Sequence, residues 1–188
     1  MTPAAILLAA GASARLGRPK QLLELDGEAL VRRAARLGLE AGFAPMVVVV
    51  GSSAEAVQSA LEGLPVQCVV NAEWQEGMAA SIRAGLGAVP AGSSGVLLLA
   101  CDQPALARGI LEAFRAIHQR WPARTLAAAY GGGLGIPALF PRSRFAGLLG
   151  LRGDRGAKAL LGEAETIPFP GGEFDFDTPE DLLGWIRR

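Results

Sequence analysis

Ala5-Ile6-Leu7-Leu8-Ala9-Ala10-Gly11-Ala12-Ser13-Ala14-Arg15-Leu16-Gly17-Arg18-Pro19-Lys20 is the stretch on which the fold turns. Its first six residues are apolar without a break, as expected of a strand covered on both faces in a parallel sheet. Met1-Thr2-Pro3-Ala4 ahead of it carries no basic side chain, so the run reads as a buried first strand and not as a secretory leader. Ligands of parallel sheets bind beyond the carboxyl ends of the strands. A Gly/Ala/Ser loop there lets backbone amides come close to phosphate oxygens, and Arg15 and Lys20 add two positive charges. The spacing matches neither common phosphate fingerprint. Gln21 follows Lys20 where a P-loop needs Ser or Thr, and no second glycine follows Gly11 as a dinucleotide loop requires. By itself the loop fits either a phosphate cradle or a plain tight turn.

Outward from this stretch, Met46–Val50, Val66–Val70 and Val96–Cys101 read as further strands, the first and last being nearly continuous Val and Leu. Between them Ala29–Ala41, Ala54–Leu61 and Met78–Ala88 have helical period, and the alternation predicts a three-layer α/β domain. Beyond Cys101 the order loosens: helix over Ile110–Trp121, strand over Leu126–Tyr130, a turn at Gly131-Gly132-Gly133 and strand over Ile136–Phe140. Arg155–Leu161 has a helical pattern and Thr166–Phe169 an extended one. Thr178-Pro179-Glu180-Asp181 opens a last helix, with Thr178 as N-cap and Asp181 completing a capping-box-like pattern. The absence of a long linker predicts one domain over residues 1–188.

Apolar residues make up 51% and charged residues 19%, which excludes a disordered chain. The 18 basic and 18 acidic residues cancel, which argues against a nucleic-acid groove or an anionic membrane surface as partner. Two of the basic residues are lysines, Lys20 and Lys158, and both lie in glycine-rich segments; codon bias explains this as readily as function does. Cys68 and Cys101 at the ends of apolar runs suggest a reduced, buried pair in a cytoplasmic protein. Two cysteines and one histidine offer no zinc site. His118 falls on a polar part of its helix and reads as a surface residue, and Arg32, Arg33 and Arg36 read as a solvated helix face.

Three further constellations carry chemistry. Asp102, in Cys101-Asp102-Gln103-Pro104, follows a buried strand and would face the same crevice as the first loop. Magnesium needs one or two carboxylates, with phosphates and water completing its shell; a turn or cap aspartate is the competing reading. In Asp175-Phe176-Asp177 an extended chain would turn both carboxylates one way and the ring the other, an arrangement suited to a cation. Asn71-Ala72-Glu73-Trp74-Gln75-Glu76-Gly77-Met78-Ala79-Ala80-Ser81 leads into a helix, where the amides near Gly77 and Met78 and the Ser81 hydroxyl can read a base or ribose. Trp74 fits that role or core packing equally.

With these residues in view, the chain resembles the molybdenum cofactor cytidylyltransferase group, within the nucleotidyltransferases that are similar to sugar-nucleotide pyrophosphorylases. The resemblance runs from Leu8 to Asp181 and rests on the Leu-Ala-Ala-Gly loop ending in Lys20, the Trp74–Ser81 segment, Asp102-Gln103-Pro104, Gly153-Asp154-Arg155-Gly156-Ala157-Lys158 and the terminal Asp-x-Asp-Thr-Pro-Glu-Asp. It implies a Rossmann-like α/β/α sandwich with a mostly parallel sheet, a nucleotide half to about residue 104 and an acceptor half over 105–188. It implies magnesium-dependent CMP transfer from CTP to the phosphate of a pterin, with pyrophosphate leaving. Carried over by position, Gly11, Arg15 and Lys20 would cradle the triphosphate and Gly77 and Ser81 would contact the base, with Leu8, Ala9, Ala10, Asn71 and Met78 completing the nucleotide site. Arg15, Lys20 and Asp102 would be catalytic, Asp102 and Asp177 would hold the metal, and Asp175 stands as the alternative ligand. Gly135, Pro137, Gly153, Asp154, Gly156, Lys158 and Asp175 would meet the acceptor. Two departures concern that half: Gly135-Ile136-Pro137 replaces a Gly-x-His/Asn-Pro turn, and Lys158 stands where the group commonly has arginine. Guanylyl transfer, transfer to a sugar phosphate, and an idle carrier serving a molybdenum hydroxylase are the competing readings.

Overall fold

The computed structural model describes residues 2–154 and 156–186. In chain order its elements are β1 (Ala4–Ala9), β2 (Glu24–Leu25), β3 (Glu28–Ala29), α1 (Leu30–Glu40), β4 (Met46–Val50), α2 (Ala54–Ala60), β5 (Val66–Val70), α3 (Met78–Gly87), β6 (Gly95–Ala100), α4 (Arg108–Arg120), β7 (Leu126–Tyr130), β8 (Gly133–Pro141), α5 (Phe145–Leu149), β9 (Glu165–Pro168) and α6 (Pro179–Ile186). Among the described residues seven strands form one sheet in the order β5-β4-β1-β6-β8-β7-β9. β1, β4, β5 and β6 run parallel, whereas β8 is antiparallel to both its neighbours and β7 pairs with β9 in parallel.

Unbroken apolar strands need cover on both faces, and the period of two divides their side chains between two cores. Leu7, Val48, Val50, Leu97 and Leu99 pack under α1, α2 and α4 on one face. Ile6, Val47, Val49, Val96 and Leu98 pack under α3 and α5 on the other. The result is an α/β/α sandwich with a mostly parallel sheet. No helix among the described residues is long and apolar enough to cross a membrane.

The register decides where the site lies. Leu8 of β1 pairs with Ala100 of β6, so residues 9–11 and 101–103 leave the sheet side by side. The chain turns to β4 on one side of β1 and to β6 on the other, which is the switch point where such sheets open a crevice. β8 then brings the chain beyond residue 104 to the same place, because its reversed direction sets its N-terminal end beside the tip of β6.

Four expectations change. The segment 174–177 is irregular and not a strand; Phe176 N–H donates to Asp102 O at 3.0 Å, but no ladder continues from it. The expected helix Arg155–Leu161 is a 3-10 turn at Ala157–Leu160, and Arg155 lies outside the described residues. His118 is buried, because Gly95 leaves room for its ring and Ser94 Oγ lies 3.0 Å from its Nε2. The arginines of α1 are only partly solvated: Arg36 pairs with Glu28 and Glu40, and Arg32 donates to Ala60 O and Glu62 O. The β2–β3 hairpin was not anticipated, although Asp26-Gly27 is a strong two-residue turn signal and both residues have positive φ.

Candidate active site

The loop after β1 is braced from within. Gln21, buried behind it, donates through Nε2 to Ala9 O at 3.0 Å and Gly11 O at 2.7 Å. Lys20 N–H donates to Ser13 Oγ at 3.1 Å, closing the loop just before the 3-10 turn Lys20–Leu22. These bonds hold the Lys20 side chain over the tip of β6. Its Nζ lies 2.5 Å from Asp102 Oδ2 and 2.7 Å from Asp177 Oδ1, and Arg15 reaches the other oxygen of Asp177 at 2.7 Å.

Carboxylate oxygens of Asp102, Asp175 and Asp177 all lie within 4.8 Å of one another. Burial disfavours the Lys20 ammonium, but the charge and hydrogen bonds of Asp102, with those of Asp177, outweigh it and raise the pKa above the usual lysine value. Burial likewise opposes ionisation of Asp177, yet Lys20 and Arg15 hold its pKa below the ordinary carboxylate value. Asp175 touches neither cation in this way; burial and the charges of Asp177 and Asp102 push its pKa up. Oxygen-only donors at this spacing suit a hard divalent cation such as magnesium or manganese.

A cleft of about 550 Å³ opens beside these groups. Leu8, Ala10, Gly11, Arg15, Lys20 and Asp102 line it together with Gly77, Met78, Ser81 and Asp154. Gly77 has φ 101°, a conformation that favours glycine. A Cβ there would meet Asp154 Oδ1 at 2.2 Å, so the loop at residues 153–154 is packed directly on it. Asn71 does not line the cleft: it is buried behind Ser81, with its Nδ2 donating to Ser81 Oγ at 3.1 Å, which leaves the hydroxyl proton free to donate. Ala9 is also buried, its carbonyl taken by Gln21. Trp74 both lines the cleft and packs on the core beneath α3.

A second cavity of about 500 Å³ adjoins the first, sharing Met78 and Ile136 with it. Gly135, Gly156 and Lys158 line this second cavity, as does Tyr130. Pro137 is buried in β8 and lines neither cavity, and Gly153 braces α3 by accepting from Ala79 N–H at 3.1 Å. Asp154 lines the first cleft and not the second cavity, and Asp175 groups with the other carboxylates.

Gln103 is the residue that sequence reading passed over. Buried beside Asp102, it donates through Nε2 to Ile136 O at 3.0 Å and Gly172 O at 3.1 Å, joining β8 and the C-terminal segment to the tip of β6. A polar residue between an aspartate and a proline gave no clue to partners so distant in sequence.

A model of the MobA-like NTP transferase domain matches residues 5–167. The chain belongs to this family. It is therefore a nucleotidyltransferase of the MobA-like type. Nicotine blue oxidoreductase of Paenarthrobacter nicotinovorans is 36% identical over 166 residues, covering 83% of this chain and 79% of that one. The crystal structure of Rv0371c from Mycobacterium tuberculosis H37Rv matches with a TM-score of 0.83 at 30% identity and full coverage of both chains. A complex of Rv0371c with manganese matches at 0.77 and 27% identity, covering 100% of this chain and 99% of that one. Two further relatives are spanned only in part. The chain covers 58% of the probable molybdenum cofactor guanylyltransferase of Synechococcus elongatus, 36% identical over 116 residues and 61% of this chain. It covers 25% of the bifunctional protein GlmU of Anaeromyxobacter sp. strain K, 37% identical over 123 residues and 62% of this chain.

Proposed function

We propose that this MobA-like nucleotidyltransferase transfers CMP from CTP to the phosphate of molybdopterin, releasing pyrophosphate, in the cytoplasm and with magnesium. The observation that carries the reading is the meeting of Lys20 with Asp102 and Asp177 where two adjoining cavities share Met78 and Ile136. One cavity would take the nucleotide and the other the acceptor, so that a single domain is divided at about residue 104. Gly11, Arg15 and Lys20 would receive the triphosphate, and Gly135, Gly156 and Lys158 the acceptor. The free proton of the Ser81 hydroxyl suits the O2 carbonyl of a pyrimidine, and the small residues Ala10 and Gly11 line the same cleft.

In the reaction an acceptor phosphate oxygen forms a bond to the α-phosphorus as the bond to the α–β bridging oxygen breaks, and the electron pair leaves with pyrophosphate. Arg15 and Lys20 neutralise charge on the leaving group, while the cavity walls hold the reactants in line. Asp102 and Asp177, with Asp175 as the third oxygen donor, would hold magnesium, which when bound neutralises phosphate charge. Manganese in the complex of Rv0371c supports a divalent ion in this fold.

Guanylyl transfer is the second reading, favoured by the resemblance to the probable molybdenum cofactor guanylyltransferase of Synechococcus elongatus. An idle carrier would have no use for a lysine and an arginine clamped on paired carboxylates. Pyrophosphate release measured with molybdopterin, magnesium and each nucleoside triphosphate in turn separates these readings. Release is expected with CTP; faster release with GTP selects the guanylyl reading, and none with any triphosphate rejects transfer to this acceptor.

A further inference from the structure

Lys20 occupies the position that the metal reading assigns to an ion. Its ammonium touches one oxygen each of Asp102 and Asp177, at 2.5 and 2.7 Å. The side chains of this triad are 19%, 15% and 27% exposed, so water replaces a lost partner poorly. An ammonium and a divalent cation cannot take the same oxygens at once, and whichever leaves must find negative charge elsewhere. For Lys20 that charge is available in a triphosphate lying along the cleft it lines. A four-carbon stem ending in a compact point charge can swing between the two partners. Arg15 does not block the seat in the same way, because its side chain is 72% exposed and it meets only the outer oxygen of Asp177.

We infer that Lys20 is a tethered counter-ion that keeps Asp102 and Asp177 from holding a free divalent cation, so that the metal enters only together with the nucleoside triphosphate that draws Lys20 away. The inference rests on the metal reading given above. Lys20 thereby couples two ligands, and the coupling is reciprocal: the factor by which the nucleotide tightens metal binding is the factor by which metal tightens the nucleotide. A protein built this way does not sequester metal while idle.

Manganese binding followed by electron paramagnetic resonance tests this without reference to turnover. The proteins are the wild type, Lys20→Met and Lys20→Gln, each with and without CTP whose α–β bridging oxygen is replaced by methylene; melting curves establish that each is folded. Without nucleotide, the neutral variants should bind manganese at least about tenfold more tightly than the wild type, and the analogue should tighten binding far more in the wild type than in the variants. If folded Lys20→Met and Lys20→Gln bind free manganese no more tightly than the wild type, Lys20 is not the counter-ion and the inference falls while the metal reading stands. If no protein binds manganese even with the analogue, the metal reading fails and the inference with it.

Discussion

The loop after β1 and the C-terminal acidic segment meet at the site through Lys20, Arg15 and Asp177, but they are built to different degrees. Residues 9–21 carry their own scaffold: Gln21 holds two carbonyls of the loop, Ser13 caps the Lys20 amide, and β1 is locked between β4 and β6. Residues 171–181 belong to no strand. Gln103 holds Gly172, Asp102 O accepts from Phe176 N–H, the Phe176 ring meets Trp185 edge-on at 6.1 Å, and Asp181 receives the amides of Asp177 and Thr178. The loop after β1 is therefore preformed, whereas the position of Asp177 depends on a few long-range contacts. Changes on the first side should therefore act on chemistry, and changes on the second on how well the two sides meet.

Lys20 probes the loop side of that contrast. Lys20→Ala should lower kcat by about 100-fold or more, and Lys20→Arg by about tenfold, because a planar fork keeps the charge but not the reach. Steady-state pyrophosphate release measures both. Near-normal turnover in Lys20→Ala would remove the phosphate role of the loop.

Gln103→Leu comes next and probes the other side. Losing its bonds frees β8 and the segment near Gly172 without touching the phosphate loop. The variant should cost about 1–3 kcal/mol of stability. It should also raise the KM for acceptor and the metal requirement by about tenfold, with nucleotide affinity kept within about twofold. A fall in kcat with unchanged KM values would mean that Gln103 supports the nucleotide side instead.

How far these features were legible follows the same contrast. The parallel half announced itself, since the apolar runs Ala5–Ala10, Met46–Val50 and Val96–Cys101 read as doubly covered strands, the first leading into the loop and the last into Asp102. The placement of β8 between β6 and β7 had no local signal, because an antiparallel strand inserted out of order is set by tertiary pairing. The acids at 175 and 177 were visible as a pair, yet the supporting extended strand was not there, since one buried ring at Phe176 and one backbone bond suffice to orient them. Gln21 and Gln103 were invisible as braces because their acceptors are backbone carbonyls, which every residue has.

The smallest effect concerns acid. Asp175 has a raised pKa in the folded protein, so its ionised form costs stability at neutral pH and the cost vanishes once pH falls below the unfolded value near 3.8. Asp175→Asn should therefore melt at a slightly higher temperature than the wild type at pH 7, and the gain should disappear towards pH 3. Asp177 has the opposite sign: its pKa is lowered, so its contribution is present above the unfolded value and is lost as pH falls through the folded one. Asp177→Asn should melt lower at pH 7 and match the wild type in strong acid. Thermal melting from pH 7 down into strong acid reads both, and a shared sign would show that the two carboxylates are not differently paired.

The central claim is that the two sides serve one cation and one reaction. Its most direct measurement is a double-mutant cycle in which kcat/KM for CTP is compared among the wild type, Asp102→Asn, Asp177→Asn and the double variant, all shown to be folded. Residues that act as a unit are strongly non-additive, so each single change should cost about 1,000-fold and the double variant no more than about tenfold beyond either. Losses that multiply to about a million-fold, or an Asp177→Asn enzyme within about threefold of the wild type, would show that the C-terminal carboxylate does not share the seat of Asp102.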